Sequence, residues 1–278
     1  MRGGRNLKAD YHVHTYYSDD SNTPMERQIL QAISFGLDEI CFTEHVDYGV
    51  KSDHDDKESG HEYNADYPEY FAEISRMREK FAGRIAIRAG LEFGVQSHTT
   101  GKFHALYERY REELDFVLLS IHQVNDLEFW TQDFQRGKTQ DEYNREYYEE
   151  LLRVIHAYHD YSVLAHLDLI VRYDMAGPYP FAKVRDIIAE ILTVAINDGK
   201  GIELNTSSWR YGLTDTQPSR EILRLYHDLG GEILTLGSDA HSPEFVAAHM
   251  DEAREILRDI GFTRFCTFEG MRAVFHAL

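Results

Sequence analysis

The sequence predicts an α/β fold whose strands close, or nearly close, into a barrel. Three observations carry that expectation. Seven short apolar or β-branched runs alternate with seven longer segments of helical periodicity. Strict strand-helix alternation implies parallel strands joined by right-handed crossovers. Seven such units in 278 residues suit a ring of strands better than an open sheet.

The elements follow in order. The first run, "LKADYHVH" (7–14), leads to a helix at 24–35 that Pro24 opens and "FG" at 35–36 ends. "EICFTEH" (39–45) precedes a helix at 67–82, and "IAIRAGLEF" (85–93) one at 101–113. "DFVLLSIH" (115–122) is followed by a long helix at 139–160, in which Tyr147 and Tyr148 read as core or interface residues. "SVLAHLDLI" (162–170) leads to a helix at 181–198 ended by "DG". "GIELNTS" (201–207) leads to 218–229, started by Pro218 and Ser219 and stopped at "LGG". "EILTLGSDAH" (232–241) precedes a helix at 244–259, and a last run, "TRFCTFEG", is expected to add a strand or cap one end. One stretch breaks the rhythm. Residues 47–68, "DYGVKSDHDDKESGHEYNADYP", are polar and charged, and read as a surface loop or a lid over the strand ends, with His54 and His61 solvated. The expected organisation is one domain, 1–278, carrying that loop.

Bulk properties narrow the function. A net charge of −19 argues against a nucleic-acid or anionic-membrane surface. No segment has the length of a membrane span, and the N-terminus has no apolar signal core. Cys41 and Cys266 each sit in an apolar run, as buried thiols in a reducing compartment would. A cytoplasmic protein is expected. An anionic substrate would need local positive charge, which bound metal ions supply whatever the overall sign.

The strand ends show where such ions would sit. Residues two apart on a strand share a face, so His12 and His14 project together at the end of the first run. The second run ends in Glu44 and His45, the third at Glu92, the fourth at His122, the fifth at His166 and the seventh at Asp239 and His241. In a parallel barrel all these ends open on one face. Asp19 and Asp20 follow the first strand. Six histidines with Asp20, Glu92 and Asp239 make nine nitrogen and oxygen donors without a thiolate, a set that suits Zn, Mn or Fe. That is enough for two divalent ions, or three with water or shared carboxylates, and Glu92 is the natural bridge.

Together "DYHVHTYYSDD", "FTEHVDYG" and "LGSDAHSP" resemble the signatures of the polymerase and histidinol phosphatase (PHP) family. "GLEFG", "LLSIHQV", "LAHLDLI" and "IELNTSSWR" resemble its histidinol-phosphatase branch. The resemblance spans nearly the whole chain. It implies a distorted (β/α)7 barrel of TIM-barrel type with a trinuclear site at the C-terminal ends of the strands. It assigns His12, His14, Glu92 and Asp239 to one ion, Glu92, His122 and His166 to a second, and Asp20, His45 and His241 to a third, with Asp20 preferred to Asp19.

The activity that the resemblance implies is hydrolysis of L-histidinol phosphate in histidine synthesis. Metal-bound water loses a proton near neutral pH, and a metal-bridging hydroxide would attack phosphorus in line, with Glu92, Asp239 and His241 as catalytic residues. Arg172 and Arg210 are expected to bind the phosphate, since guanidinium matches phosphate oxygens; Asn205 and Ser207 read either as substrate contacts or as residues that support the site from behind. His98 and His104 read as ordinary loop and helix residues. The implied partner is a small phosphorylated molecule taken by a monomer or homodimer. Three alternatives compete. Another small phosphate ester or a nucleotide keeps the site and changes the substrate. An amidohydrolase-like deaminase or lactonase would use a bridging lysine where Glu92 stands. An inactive regulatory relative would lack some of the nine donors, all of which are present.

Overall fold

In the computed structural model, which describes residues 6–54 and 63–278, seven parallel strands form one sheet in sequence order. They are β1 Ala9–Val13, β2 Glu39–Val46, β3 Ala86–Gly94, β4 Phe116–Ser120, β5 Val163–Leu164, β6 Gly201–Asn205 and β7 Leu234–Gly237. The sheet curls back on itself. Val13 bridges Ala240 in parallel; His14 N–H donates to the Ala240 carbonyl at 2.9 Å and Ala240 N–H to the His12 carbonyl at 3.3 Å. The barrel is therefore nearly closed, and its seam lies between β1 and the segment just after β7.

Among the described residues, seven α-helices cover the outside: α1 Met25–Ser34, α2 Tyr67–Lys80, α3 Thr100–Tyr110, α4 Gln140–Ala157, α5 Arg185–Asn197, α6 Arg220–Asp228 and α7 Met250–Ile260. Strands buried on both faces are what helix-covered parallel sheets require, and β1, β4, β6 and β7 are buried throughout. Several helix starts follow local chemistry. Asp66 accepts from Glu69 N–H at 3.2 Å, and Thr139 with Glu142 forms a reciprocal capping box. Tyr147 and Tyr148 are core residues.

Three expected elements differ. The run at 162–170 keeps only two residues of strand and turns into a 3-10 helix at Leu169–Tyr173. The expected helix at 181–198 begins with a separate 3-10 turn, Phe181–Lys183. The one at 244–259 starts as a 3-10 turn at Pro243–Phe245 and becomes α-helical only after His249, whose φ of +59° breaks the helix.

The last run pairs with the C-terminus as an antiparallel hairpin, β8 Arg264–Glu269 and β9 Arg272–Ala277. It covers the N-terminal end of the barrel. Tyr11 packs edge-on against Phe116, and Phe116 against Phe268, at ring separations of 5.1 and 5.0 Å. The Tyr11 hydroxyl donates to the Phe268 carbonyl and accepts from its N–H. One end of the barrel is thus plugged, leaving the C-terminal end for chemistry.

Of the 47–68 stretch, residues 55–62 lie outside the described residues, His61 among them. Its start belongs to the structured mouth: Asp47, Tyr48 and Lys51 are buried. Among the described residues, no helix is long and apolar enough to cross a membrane.

Candidate active site

The strand ends deliver the side chains to one mouth, around Glu92. This carboxylate is fully buried. Its Oε1 lies 3.0 Å from His122 Nε2 and 2.9 Å from His166 Nε2. Its Oε2 lies 3.0 Å from His12 Nε2, 3.4 Å from His14 Nε2 and 3.2 Å from His45 Nδ1. Asp239 stands across from it, with Oδ1 3.6 to 3.7 Å from His14 and His12 and 3.5 Å from His241 Nδ1. His14 stacks between His45 and His241, at ring separations of 4.3 and 4.2 Å. The strand-end histidines of the sequence reading are all in this cluster.

The two aspartates after β1 separate. Asp20 Oδ2 faces His241 Nε2 at 3.0 Å and His45 Nε2 at 3.6 Å. Asp19 instead pairs with Lys51 at 2.6 Å.

Carboxylates that the sequence reading did not single out hold the imidazoles from behind. Glu203 Oε1 is 2.7 Å from His12 Nδ1, and its Oε2 accepts from His166 N–H at 2.9 Å. Asp47 Oδ1 is 2.7 Å from His122 Nδ1, while its Oδ2 pairs with Lys51 at 2.9 Å. Both contacts depend on missing side chains. A Cβ at Gly94 would lie 1.8 Å from Asp47 Oδ1, and one at Gly237 would lie 2.1 Å from Glu203 Oε1. Both acids were legible in principle as even-numbered steps from recognised residues: Asp47 is two past His45, and Glu203 two before Asn205. Glu44, buried one residue before His45, shapes the turn after β1 by accepting from Thr15 N–H and from the Thr15 and Ser18 hydroxyls.

The electrostatics show why the cluster suits cations. Burial opposes the ionisation of Glu92, yet His12, His122 and His45 outweigh it and hold the carboxyl well below its usual range. Asp239 is held down likewise, by His12, Arg172 and His241 against burial. For His14, burial together with its neighbours His241, His45 and His12 keeps the ring neutral, leaving lone pairs to donate. Burial lowers His166 as well. The buried His166 Nδ1 has no hydrogen-bond partner, and His14 Nε2, His45 Nδ1 and His241 Nε2 meet carboxylate oxygens without hydrogen-bond geometry. Buried polar atoms are rarely left so. Imidazole nitrogens gathered around carboxylates are the donor set of divalent ions. Compact donor groups form at His12, His14 and Glu92, at Glu92, His122 and His166, and at His14, His45 and His241. The residues present therefore fit a cluster of metal ions.

A cavity of about 380 Å³ opens above the cluster, lined also by Trp130, Leu169, Tyr173 and Tyr211. Arg172 lines it too. The 3-10 turn after β5 brings its guanidinium in: Nη2 donates to Ser207 Oγ at 2.7 Å, to Gln217 Oε1 at 2.9 Å and to Asp239 Oδ2 at 3.3 Å. It also stacks 4.1 Å over the Tyr211 ring. The other two expected substrate residues are elsewhere. Arg210 donates to the backbone carbonyl of Asp239 at 2.8 Å, fixing a residue whose φ is +54°. Asn205 is fully buried, its Nδ2 3.2 Å from Glu203 and its Oδ1 accepting from Ser207 N–H and Oγ. His98 and His104 lie outside the cavity, paired with Asp126 and Asp160.

A barrel whose strand ends gather imidazoles and carboxylates around a bridging acid is the architecture of metal-dependent hydrolases. The chain belongs to the PHP domain family, whose model matches residues 10–207. It is 33% identical to a histidinol-phosphatase of Lactococcus lactis over 95% of this chain and 96% of that protein. A crystal structure of histidinol phosphate phosphatase from Lactococcus lactis, complexed with zinc, L-histidinol and phosphate, superposes with a TM-score of 0.85 at 32% identity, covering 96% of this chain and 98% of that one. A Listeria monocytogenes structure shares the fold, with a TM-score of 0.74 at 19% identity over 88% of this chain and 99% of that one.

Proposed function

We propose that this protein is a metal-dependent phosphomonoesterase that hydrolyses L-histidinol phosphate to L-histidinol and phosphate. One observation carries the reading: six imidazoles and three carboxylates converge at a barrel mouth beside a single buried arginine, in a chain alike over nearly its full length to a histidinol-phosphatase. His12, His14, Glu92 and Asp239 would hold one ion, Glu92, His122 and His166 a second, and Asp20, His45 and His241 a third. Zinc, manganese or iron suits this set. Ions bound there polarise the phosphoryl group and acidify water. Glu92, Asp239 and His241 are catalytic in the sense that they hold the ions at the reacting atoms.

The chain's own residues do the rest. Arg172, braced by Gln217, Ser207 and Asp239, receives phosphoryl oxygens and offsets charge that develops on them. Arg210 and Asn205 act from behind, the first on the Asp239 backbone and the second on Glu203 and Ser207. Trp130, Tyr173 and Tyr211 form an aromatic wall that suits a flat imidazole. The whole chain is read as one catalytic domain, with Asp47 and Lys51 at the border of the mouth. The functional unit is read as a monomer or a homodimer. The buried free thiols Cys41 and Cys266 suit the cytoplasm.

Phosphate release from L-histidinol phosphate, measured beside p-nitrophenyl phosphate on protein of known metal content, tests the reading. A large kcat/KM preference for histidinol phosphate, abolished by chelation and restored by Zn²⁺ or Mn²⁺, is expected. Slow turnover of both esters by fully metallated protein would send the search to another small phosphate ester.

A further inference from the structure

A second cavity, of about 280 Å³, lies on the other side of the turn that carries Arg172 and shares no lining residue with the first. We propose that it is a binding site for a small organic monocation, an ammonium group on a flat apolar body, and that its occupant acts on Arg172.

The walls are apolar and aromatic, with Tyr148, Val171, Tyr179, Phe181, Ile188 and Leu213 among them. No Lys, Arg or His lines the cavity, whereas Asp168, Asp174, Asp215 and Glu221 do. Two of these acids are already engaged. Asp174 accepts from Tyr143, Gln140 and Asn144, and Asp215 is paired with Arg220. Asp168 differs. It is 3% exposed, its Oδ2 accepts from Ser219 N–H at 2.9 Å, and its Oδ1 has no hydrogen-bond partner. Asp168 lines the chamber, and a buried carboxylate oxygen is costly unless a donor meets it. An anion would be repelled, and an apolar neutral molecule would leave Oδ1 unpaired. An ammonium with an aromatic ring fills the chamber and satisfies the acid.

The link to Arg172 is built into both walls. Val171 faces this cavity, while Leu169, Arg172 and Tyr173 of the same 3-10 turn face the other. The opposite wall contains Thr216 and Ser219, and between them Gln217 holds the guanidinium through Nε and Nη2 at 3.2 and 2.9 Å. An occupant therefore touches both segments that aim Arg172. The coupling half of the proposal rests on the reading of Arg172 as the phosphate-binding residue.

The test uses the metal-loaded full chain with inorganic phosphate at saturation. Calorimetry with 2-phenylethylammonium, 2-phenylethanol and 3-phenylpropionate reads binding directly, without turnover. One equivalent of the ammonium should bind, the alcohol at least tenfold more weakly and the carboxylate not at all. Thr214 is an exposed residue of the rim, and Thr214→Lys supplies a tethered ammonium. It should weaken the ligand at least tenfold with kcat unchanged and Tm not lowered; Asp168→Asn should weaken binding likewise if it folds. Equal binding of alcohol and ammonium, or undiminished binding to Thr214→Lys, would overturn the site. Binding that leaves KM for the phosphate ester unmoved would overturn the coupling alone. Failure of the Arg172 reading shows separately, as unchanged phosphate affinity in Arg172→Ala.

Discussion

Replacing Asp47 by Asn asks whether the carboxylate behind His122 helps to hold metal. Asp47 Oδ1 and His122 Nδ1 are 2.7 Å apart, and both side chains are buried. Against burial, Lys51 and His122 hold the Asp47 carboxyl well below its usual range, so it is fully charged. The amide fits the same space but turns a charge-assisted hydrogen bond into a neutral one, a loss of about 1 to 1.5 kcal/mol. It also sets an N–H₂ group near Lys51 Nζ, where Oδ2 now sits at 2.9 Å. Carboxylates that orient metal-bound imidazoles typically contribute about 10- to 100-fold in metal affinity, or roughly 1.4 to 2.8 kcal/mol. The expectation for Asp47→Asn is a loss in that range, read by competition with a chromophoric chelator, with kcat largely recovered at saturating metal. Lys51→Met, which removes the cation and leaves the acid, separates the two contributions. Affinity within twofold of the parent in Asp47→Asn, with the fold intact, would refute the reasoning.

Other residues give sharper contrasts. Arg172→Ala should raise KM for the phosphate ester by about 10- to 100-fold, the loss of one or two charge-assisted bonds, with metal content unchanged; unchanged kinetics would remove Arg172 from the site. Asp20→Asn should lower metal occupancy and activity together, whereas Asp19→Asn, which leaves His45 and His241 untouched, should retain its metal. Equal metal loss in both variants would contradict the geometry. Metal uptake by chelated protein should release protons. His45 and His122, for which burial is outweighed by Asp20 and Glu92 and by Asp47 and Glu92 respectively, titrate at about 9 and about 10. Both are raised, so both rings are protonated at pH 7 without metal and must lose the proton to donate. Apparent affinity should therefore climb from pH 7 to about 9 and level off near 10, and an indicator dye in weak buffer should report the protons. Uptake without proton release would count against both ligands.

How much of this was legible in the sequence depends on the kind of signal. The barrel was, because seven strand-helix alternations leave few topologies, and the strand-end histidines were, because a strand aims every second residue alike. The short β5 was not: "SVLAHLDLI" reads as a long strand, but after Leu164 the chain turns and His166 has a φ of +20°. That turn, with the 3-10 helix after it, aims Arg172 at the cavity. The 3-10 turn at Ser207–Trp209 has the opposite effect on Arg210, which ends on the Asp239 backbone, and no local pattern announces either orientation. Asp47 and Glu203 stand two positions from recognised residues, but only the glycines opposite them show room for a carboxylate. Among 48 acidic residues, nothing in composition marks those two.

The barrel's seam carries a consequence for how the protein comes together. The ring is split where Val13 meets Ala240, and the proposed ligands stand on both lips of the split: His12 and His14 on one, Asp239 and His241 on the other. A metal ion shared between them would be a clasp across the first and last strands, closing a loop of more than two hundred residues and adding to the backbone bonds and the Asp10, Ser21 and Gln28 side-chain bonds that span the seam. The clasp cannot be fastened until residue 241 has been made and folded back. A metal ion bound there would join strands already brought together, and its removal would loosen the join between the first strand and the last.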